Sequence, residues 1–326
     1  MRGASVHPNT ELMHRAILLG ALLLAALQAA ACDVCGLYLG LQPHDRVNNF
    51  GLWYRMRYLQ GDVRTATTPD LSKHGGHLTT GQGTAAVTEL FTVLEARGEF
   101  WLGQRFRIMA SIPLVNNYAS IDGVRTADVY ASGDPLVMGR YVIFNTRCSG
   151  DSSKTRHRFT IGAGVKAPLG RHDMTWNGEA LDHDMQPGTG TWDALLSVEY
   201  LRRGAAWGVG TSIIARMNGT AESGHAMGHG LSSTAEVFRV FEGGGLTWMP
   251  SAGAYHELAL QDQQDGSPVD GTGTSVLFSH LSTRLWWRSF GLSVTWQHAC
   301  AQDNGDQMVP NRERFIAGLT YNLDNN

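Results

Sequence analysis

The stretch FGLWYRMRYL, residues 50–59, constrains the fold of this chain more than any other segment. If side chains alternate, Phe50, Leu52, Tyr54, Met56 and Tyr58 fall on one face, and Gly51, Trp53, Arg55 and Arg57 on the other. Period two is the signature of a strand. A strand with arginines on its second face needs water on that side. Which side of the sheet holds the water decides the architecture.

The pattern recurs with the same chemistry. GQRFRIMASIPL sets Phe106, Ile108, Ala110, Ile112 and Leu114 against Arg105, Arg107, Met109 and Ser111. RFTIGAGVKAPLG places Lys166 opposite its apolar face, WDALLSVEYL places Asp193 and Glu199, and WGVGTSIIAR places Arg216. RFIAGLTYNL closes the series with Phe315, Ala317, Leu319, Tyr321 and Leu323 on one side. Weaker runs at residues 86–97, 136–144, 234–241, 246–259, 276–287 and 290–298 bring the strand count to about 12, an even number as single-chain bacterial barrels require. The register of 246–259 is ambiguous from sequence.

The connections alternate in length. Those at 60–85, 116–134, 170–191, 217–233, 261–274 and 299–313 are long and polar, and those at 98–103, 202–206, 242–245 and 288–289 are short, with 145–156 an exception. Long external loops and short periplasmic turns are the asymmetry of an outer-membrane barrel.

The first residues fit an exported product. ILLGALLLAALQAAA, residues 17–31, is shorter than the ~20 residues of a spanning helix and ends in small residues. Residues 1–31 therefore read as a signal peptide, with translation starting at Met1 or Met13 and residues 32–326 forming one barrel domain. A lipoprotein signal with Cys32 acylated is the alternative, although the position three before it is Ala29 rather than Leu. No later apolar run is long enough to cross a bilayer as a helix, which leaves a closed barrel as the only spanning structure. A 17% charged content and a net charge of -3 point away from a nucleic-acid partner.

The cysteines are Cys32, Cys35, Cys148 and Cys300, too few to scaffold so long a chain. In an exported protein Cys32 and Cys35 read as a disulfide rather than a redox or zinc motif. The strand count puts Cys300 outside and Cys148 on the periplasmic side, too far apart to bond.

A soluble β-sandwich also alternates, but it would expose its polar face and hold fewer aromatics at strand ends. Here Trp192, Tyr200, Trp207 and Tyr321 fall near run ends, as aromatic girdles do. The expected architecture is an all-β transmembrane barrel whose lumen is lined by Arg55, Arg57, Arg105, Arg107, Lys166, Asp193, Glu199 and Arg216. Such charges either set ion preference or pair with one another and plug the barrel.

GVKAPLG at 164–170, QPGTGTWD at 186–193, ASIPLVNN at 110–117 and SGDPLVMGRYVIFN at 132–145 resemble the outer-membrane barrel family of transporters associated with the meta-pathway of phenol degradation. CDVCG at 32–36, followed by NNFGLWYRMRY, is similar to a branch of porin-like transporters. The resemblance implies a barrel seated in outer-membrane lipid by the barrel assembly machinery, passing small solutes without a cofactor. One departure is the end of the chain. Barrels of this kind close on an aromatic residue, whereas Asp324, Asn325 and Asn326 follow Leu323 here.

The long loops hold His74, His77, His172, Met174, His183, Met185, His225, Met227 and His229. Imidazole with thioether suits copper, and Met favours Cu(I). The candidate metal ligands are His74, His77, His183, Met185, His225, Met227 and His229, with His225-Ala226-Met227-Gly228-His229 the densest cluster. His280 and Ser282 have the two-residue spacing of barrel phospholipases, but no orienting partner is evident in the sequence. The expected function is a porin-like channel for small solutes rather than an enzyme, with a metal-capturing surface protein as the alternative.

Overall fold

The computed structural model describes residues 47–64, 84–146 and 155–323. Within them the chain forms a closed barrel of twelve antiparallel staves. These are β1 (Asn48–Arg64), β2 (Thr84–Leu102), β3 (Phe106–Ile121), β4 (Val124–Ser132 continuing as Leu136–Asn145), β5 (Arg156–Lys166) and β6 (Asp193–Arg203). They continue as β7 (Trp207–Met217), β8 (Gly230–Arg239), β9 (Leu246–Ala259), β10 (Thr274–Trp287), β11 (Phe290–Asn304) and β12 (Asn311–Leu323). β1 closes the ring by pairing with both β2 and β12, so that Phe50 lies between Gly98 and Tyr321. Closure satisfies the backbone polar groups that an open sheet edge would present to lipid.

Burial is inverted relative to a water-soluble fold. Leu52, Ile112, Leu196, Ile213, Leu281 and Leu319 are exposed on the outer face, Ile112 to 62%, while Arg57, Arg107, Lys166, Asp193 and Arg216 are buried inside. Charged residues are almost never buried unless paired, and a continuous apolar exterior is stable only in an apolar medium. The polar face is therefore the inner one, and the period-two reading of β1 holds. At the short-turn end the rings of Phe50 and Phe290 lie 5.6 and 5.3 Å from that of Tyr321, and Phe241 stacks on Trp248 at 4.9 Å. Trp192, Trp207 and Tyr321 are exposed as girdle residues should be, whereas Tyr200 is half-buried with its hydroxyl 2.7 Å from His157 Nδ1.

Two sequence expectations need correction. Arg105 does not line the lumen: it lies exposed in the turn at residues 103–105, and β3 begins one residue later. Residues 116–134 do not form a loop. β3 runs on to Ile121, turns through Asp122 and Gly123 at φ 50 and 78, and returns as Val124–Ser132. This hairpin continues beyond the apolar belt, where its outer face no longer needs a uniformly apolar composition. The ambiguous stretch 246–259 is also resolved, with Met249, Ser251, Tyr255 and Glu257 buried. Cys32, Cys35, His74, His77 and Cys148 lie outside the described residues, and Cys300 is an exposed free thiol on β11.

Candidate functional site: the lumen and its inward loop

The inward-facing charges form networks that cross the barrel. Near the short-turn end, Arg107 donates to Glu99 at 2.7 Å and to Glu199 at 3.0 Å, and Arg140 donates to Glu99 at 3.0 Å and pairs with Glu199. Two guanidiniums thus alternate with two carboxylates drawn from β2, β3, β4 and β6. Arg284 grips Glu236 through both Nη atoms at 3.1 and 3.0 Å, with His280 3.7 Å from the same carboxylate. Toward the long-loop end, Glu257 of β9 receives Arg57 of β1 at 3.0 Å and Arg314 of β12. Arg57 also donates to Asn311 at 2.7 Å.

Of the expected lumen residues, Arg55, Arg57, Arg107, Lys166, Asp193, Glu199 and Arg216 do face inward. The structure adds Glu95, Arg97, Glu99, Asp134, Arg140, Glu236, Glu257, Arg284 and Arg314. The signal for several was present: in TAAVTELFTVLEARGEFWL the same alternation that buries Val87 also turns Glu89, Glu95, Arg97 and Glu99 inward. These inward charges pair with one another, as buried charges must to be stable.

Residues 167–192 form a long loop that folds into the mouth of the barrel and is anchored at its neck by Asp134, Lys166 and Asp193. Asp134 is 7% exposed and sits in the break of β4, between Ser132 and Leu136. It accepts the Gly170 N–H at 2.8 Å, the Thr189 N–H at 2.8 Å and the Thr189 hydroxyl at 2.9 Å, and it pairs with Lys166 at 3.2 Å. Lys166 in turn meets Asp193 at 2.5 Å, and Asp193 accepts the Thr191 hydroxyl at 2.7 Å. The motifs SGDPLVMG, GVKAPLG and QPGTGTWD, far apart in sequence, therefore build one buried clasp at the neck of the loop.

The clasp explains its glycines. A Cβ on Gly188 would lie 2.7 Å from the Gly170 carbonyl carbon and 2.9 Å from Asp134 Oδ1, closer than real contacts allow. Gly188→Ala is expected to prise the loop from Asp134 without altering any charge, seen as faster amide exchange at Thr189 and Gly170.

Beyond the clasp, Met185, Gln186 and Pro187 are buried, and the Asn117 side-chain amide donates to the Met185 carbonyl at 3.0 Å. Below them the lumen keeps a cavity of about 120 Å³. It is walled by residues including Arg55, Phe91, Glu95, Leu136, Lys166, Leu195 and Ile316, with Gln186 and Pro187 over it.

The histidines of two long loops meet above this plug. The rings of His183 and His225 stack at 3.8 Å and 3°, and His225 Nε2 lies 4.0 Å from Asp262. Met185 and Met227 are buried nearby in sequence, while His229 is exposed and accepts the Asn218 N–H at 3.1 Å. Among the described residues no group of three or more His, Cys, Asp and Glu is arranged to hold a metal ion.

Partial burial, and then the neighbouring His225 ring, push the His183 imidazole down to about 4, against the pull of Asp184. The folded state prefers His183 neutral. Its contribution to the contact between the loops is complete above the ordinary value of 6.5 and is lost as pH falls toward about 4. Protection of the amides at residues 183–187, corrected for the pH dependence of intrinsic exchange, should fall over that window, and His183→Asn should flatten the response.

No family model matches the chain, and no curated protein matches it. Among solved structures it is similar to an outer membrane channel from Pseudomonas putida F1, at 14% identity and a TM-score of 0.59, over 90% of this chain and all of that one. The beta domain of the Bordetella autotransporter BrkA also aligns, at 14% identity and a TM-score of 0.46, over 86% of this chain and 100% of that one. At this identity the first likeness is one of fold, that of an outer-membrane β-barrel.

Proposed function

We propose that this barrel is an outer-membrane channel that passes small solutes along its axis, with no covalent chemistry. The observation that carries the reading is a charged, cavity-bearing lumen enclosed by an apolar belt, with a loop clasped into its mouth. Inward loops and charged linings set which solutes pass and how fast. The route is narrow. The Glu99–Arg107–Glu199–Arg140 network constricts one end and residues 167–192 constrict the other.

A catalytic reading lacks its geometry. His280 and Ser282 both point into the interior, where His280 bonds Gln297 at 3.0 Å and Ser282 bonds Thr295 at 2.8 Å, so nothing couples the hydroxyl to the imidazole.

Refolded protein in a planar bilayer should give small, steady conductance steps. If both the natural sequence and variants freed of the loop clasp stay silent, while correct folding is shown by the heat-dependent gel shift of closed barrels, the channel reading is wrong.

A further inference from the structure

We propose that the outer face of the barrel, at its short-turn end, carries a binding site for the headgroup of an anionic phospholipid of the inner leaflet. The inference needs only the barrel and its orientation in the membrane, and it holds whether or not the lumen conducts.

The site begins with the alternation that turns apolar residues toward lipid. The outward positions of β6, β7 and β8 include Leu196 and Val198, Val209, and Val237, all exposed. Followed toward the short turns, the same period ends at Arg202 on β6, Trp207 on β7 and Arg239 on β8, each of them exposed. The register sets these residues side by side. Arg202 is opposite Val209, Val209 opposite Val237, and Trp207 opposite Arg239. Two arginines therefore flank one tryptophan at the edge of the apolar belt. β6 and β8 are two strand spacings apart, ~10 Å, so a single phosphate above β7 is within reach of both side chains.

The second observation is that these cations are not neutralised within the protein. The Arg239 guanidinium lies over the Trp207 ring at 5.3 Å and the Phe241 ring at 4.8 Å, which orients it and leaves its charge uncompensated. Among the described residues neither Arg202 nor Arg239 pairs with a carboxylate, and Glu242, in the turn between β8 and β9, goes to Arg203 at 2.9 Å. A guanidinium on a lipid-facing surface is stable where it meets water or phosphate, and its planar fork takes phosphate oxygens two at a time. Trp207, Phe241 and Trp248, exposed in the same patch, mark its depth as the membrane interface. Short turns face the periplasm in such barrels, so the leaflet is the inner one.

The chemistry selects the lipid. Two cations favour a headgroup whose only charge is its phosphate, as in phosphatidylglycerol. They disfavour one that brings its own ammonium, as in phosphatidylcholine. Val198, Val209 and Val237, next to the arginines on the belt side, give the acyl chains an apolar surface that a free phosphate could not use.

The test is native mass spectrometry of the refolded full chain released from detergent micelles containing phosphatidylglycerol and phosphatidylcholine. Phosphatidylglycerol should be retained about 25-fold better, and Arg202→Gln and Arg239→Gln should each lower that preference about fivefold, the scale of one basic residue at an anionic lipid surface. The double variant should show none. Arg105→Gln, which removes an exposed arginine from the turn at residues 103–105, should change nothing. The heat-dependent gel shift checks each variant, so that misfolding of one does not decide the matter.

Equal retention of the two lipids would overturn the proposal. An Arg105→Gln effect as large as those at Arg202 and Arg239 would overturn it too, since the attraction would then be diffuse rather than a site. Displacement of the lipid by inorganic phosphate at the lipid's own concentration would mark a site for free anions. Displacement by polyglutamate would mark a docking surface for an acidic protein. Either result would overturn the lipid assignment.

Discussion

Asp134→Ala is expected to raise single-channel conductance several-fold and to lower stability. Alanine removes the acceptor for two backbone N–H groups and one hydroxyl at the loop neck. Lys166 is not orphaned, because Asp193 stays 2.5 Å away, so the cost falls at the low end of the ~3–5 kcal/mol typical of breaking a buried ion pair. Most of that cost lands on the loop, which keeps the Lys166 ammonium on the Thr189 hydroxyl at 2.7 Å, the Thr191 hydroxyl on Asp193 and the Asn117 amide on the Met185 carbonyl but loses its two backbone N–H anchors. Released, residues 167–192 no longer hold Gln186 and Pro187 over the cavity. Asp134→Asn, which keeps an acceptor oxygen but not the charge, should fall between the two. If conductance were unchanged while the unfolding midpoint dropped, the loop would not lie on the solute's path.

Glu99→Gln should be the more destabilising substitution, by about 3–5 kcal/mol, because it leaves Arg107 and Arg140 sharing Glu199 alone inside the barrel. The two guanidiniums lose a shared carboxylate at 2.7 and 3.0 Å. The lumen also gains one unit of positive charge at its narrow end. A shift of reversal potential toward anion preference in a salt gradient should accompany a lower urea midpoint. Replacing Glu99 and Arg140 together by Leu removes one charge of each sign and leaves Arg107 with Glu199; the pair should recover much of the lost stability, since apolar side chains often replace a buried ion pair at little cost. A double variant as unstable as Glu99→Gln would show that packing rather than charge balance governs this layer.

What the sequence could reveal followed from period two. Once the exterior was read as apolar, Arg55 and Arg57 had to point inward, and they do. The same rule reached Glu95, Arg97 and Glu99 in principle, yet it could not say whom they meet. Arg57 and Glu257 lie 200 residues apart, and their contact depends on barrel diameter and shear, which no local window contains. Arg105 misled because alternation is indifferent to where a strand starts: one residue into the turn, its side chain is in bulk water.

The hairpin through Asp122 was hidden for the complementary reason, since beyond the belt the outer face carries no apolar requirement to detect. The Gly- and Asp-bearing motifs stood out as short segments in the sequence. Their meeting at Asp134 did not, because they sit on separate staves and converge only when the barrel closes and the loop turns in.

The triad of Arg57, Glu257 and Arg314 also bears on how the ring is sealed. Arg57 belongs to the first stave and Arg314 to the last, and they face each other across that seam in the pairing Arg57↔Arg314, two like charges side by side. Left alone they would push the ends of the chain apart. A slip of one position at the seam would turn one of them into the hydrocarbon, because the side-chain period is two. Glu257 reaches in from β9 and holds both. The seam therefore proofreads its own alignment: the repulsion is quenched when first and last strands meet in the native register, and other registers leave a charge either unquenched or in lipid.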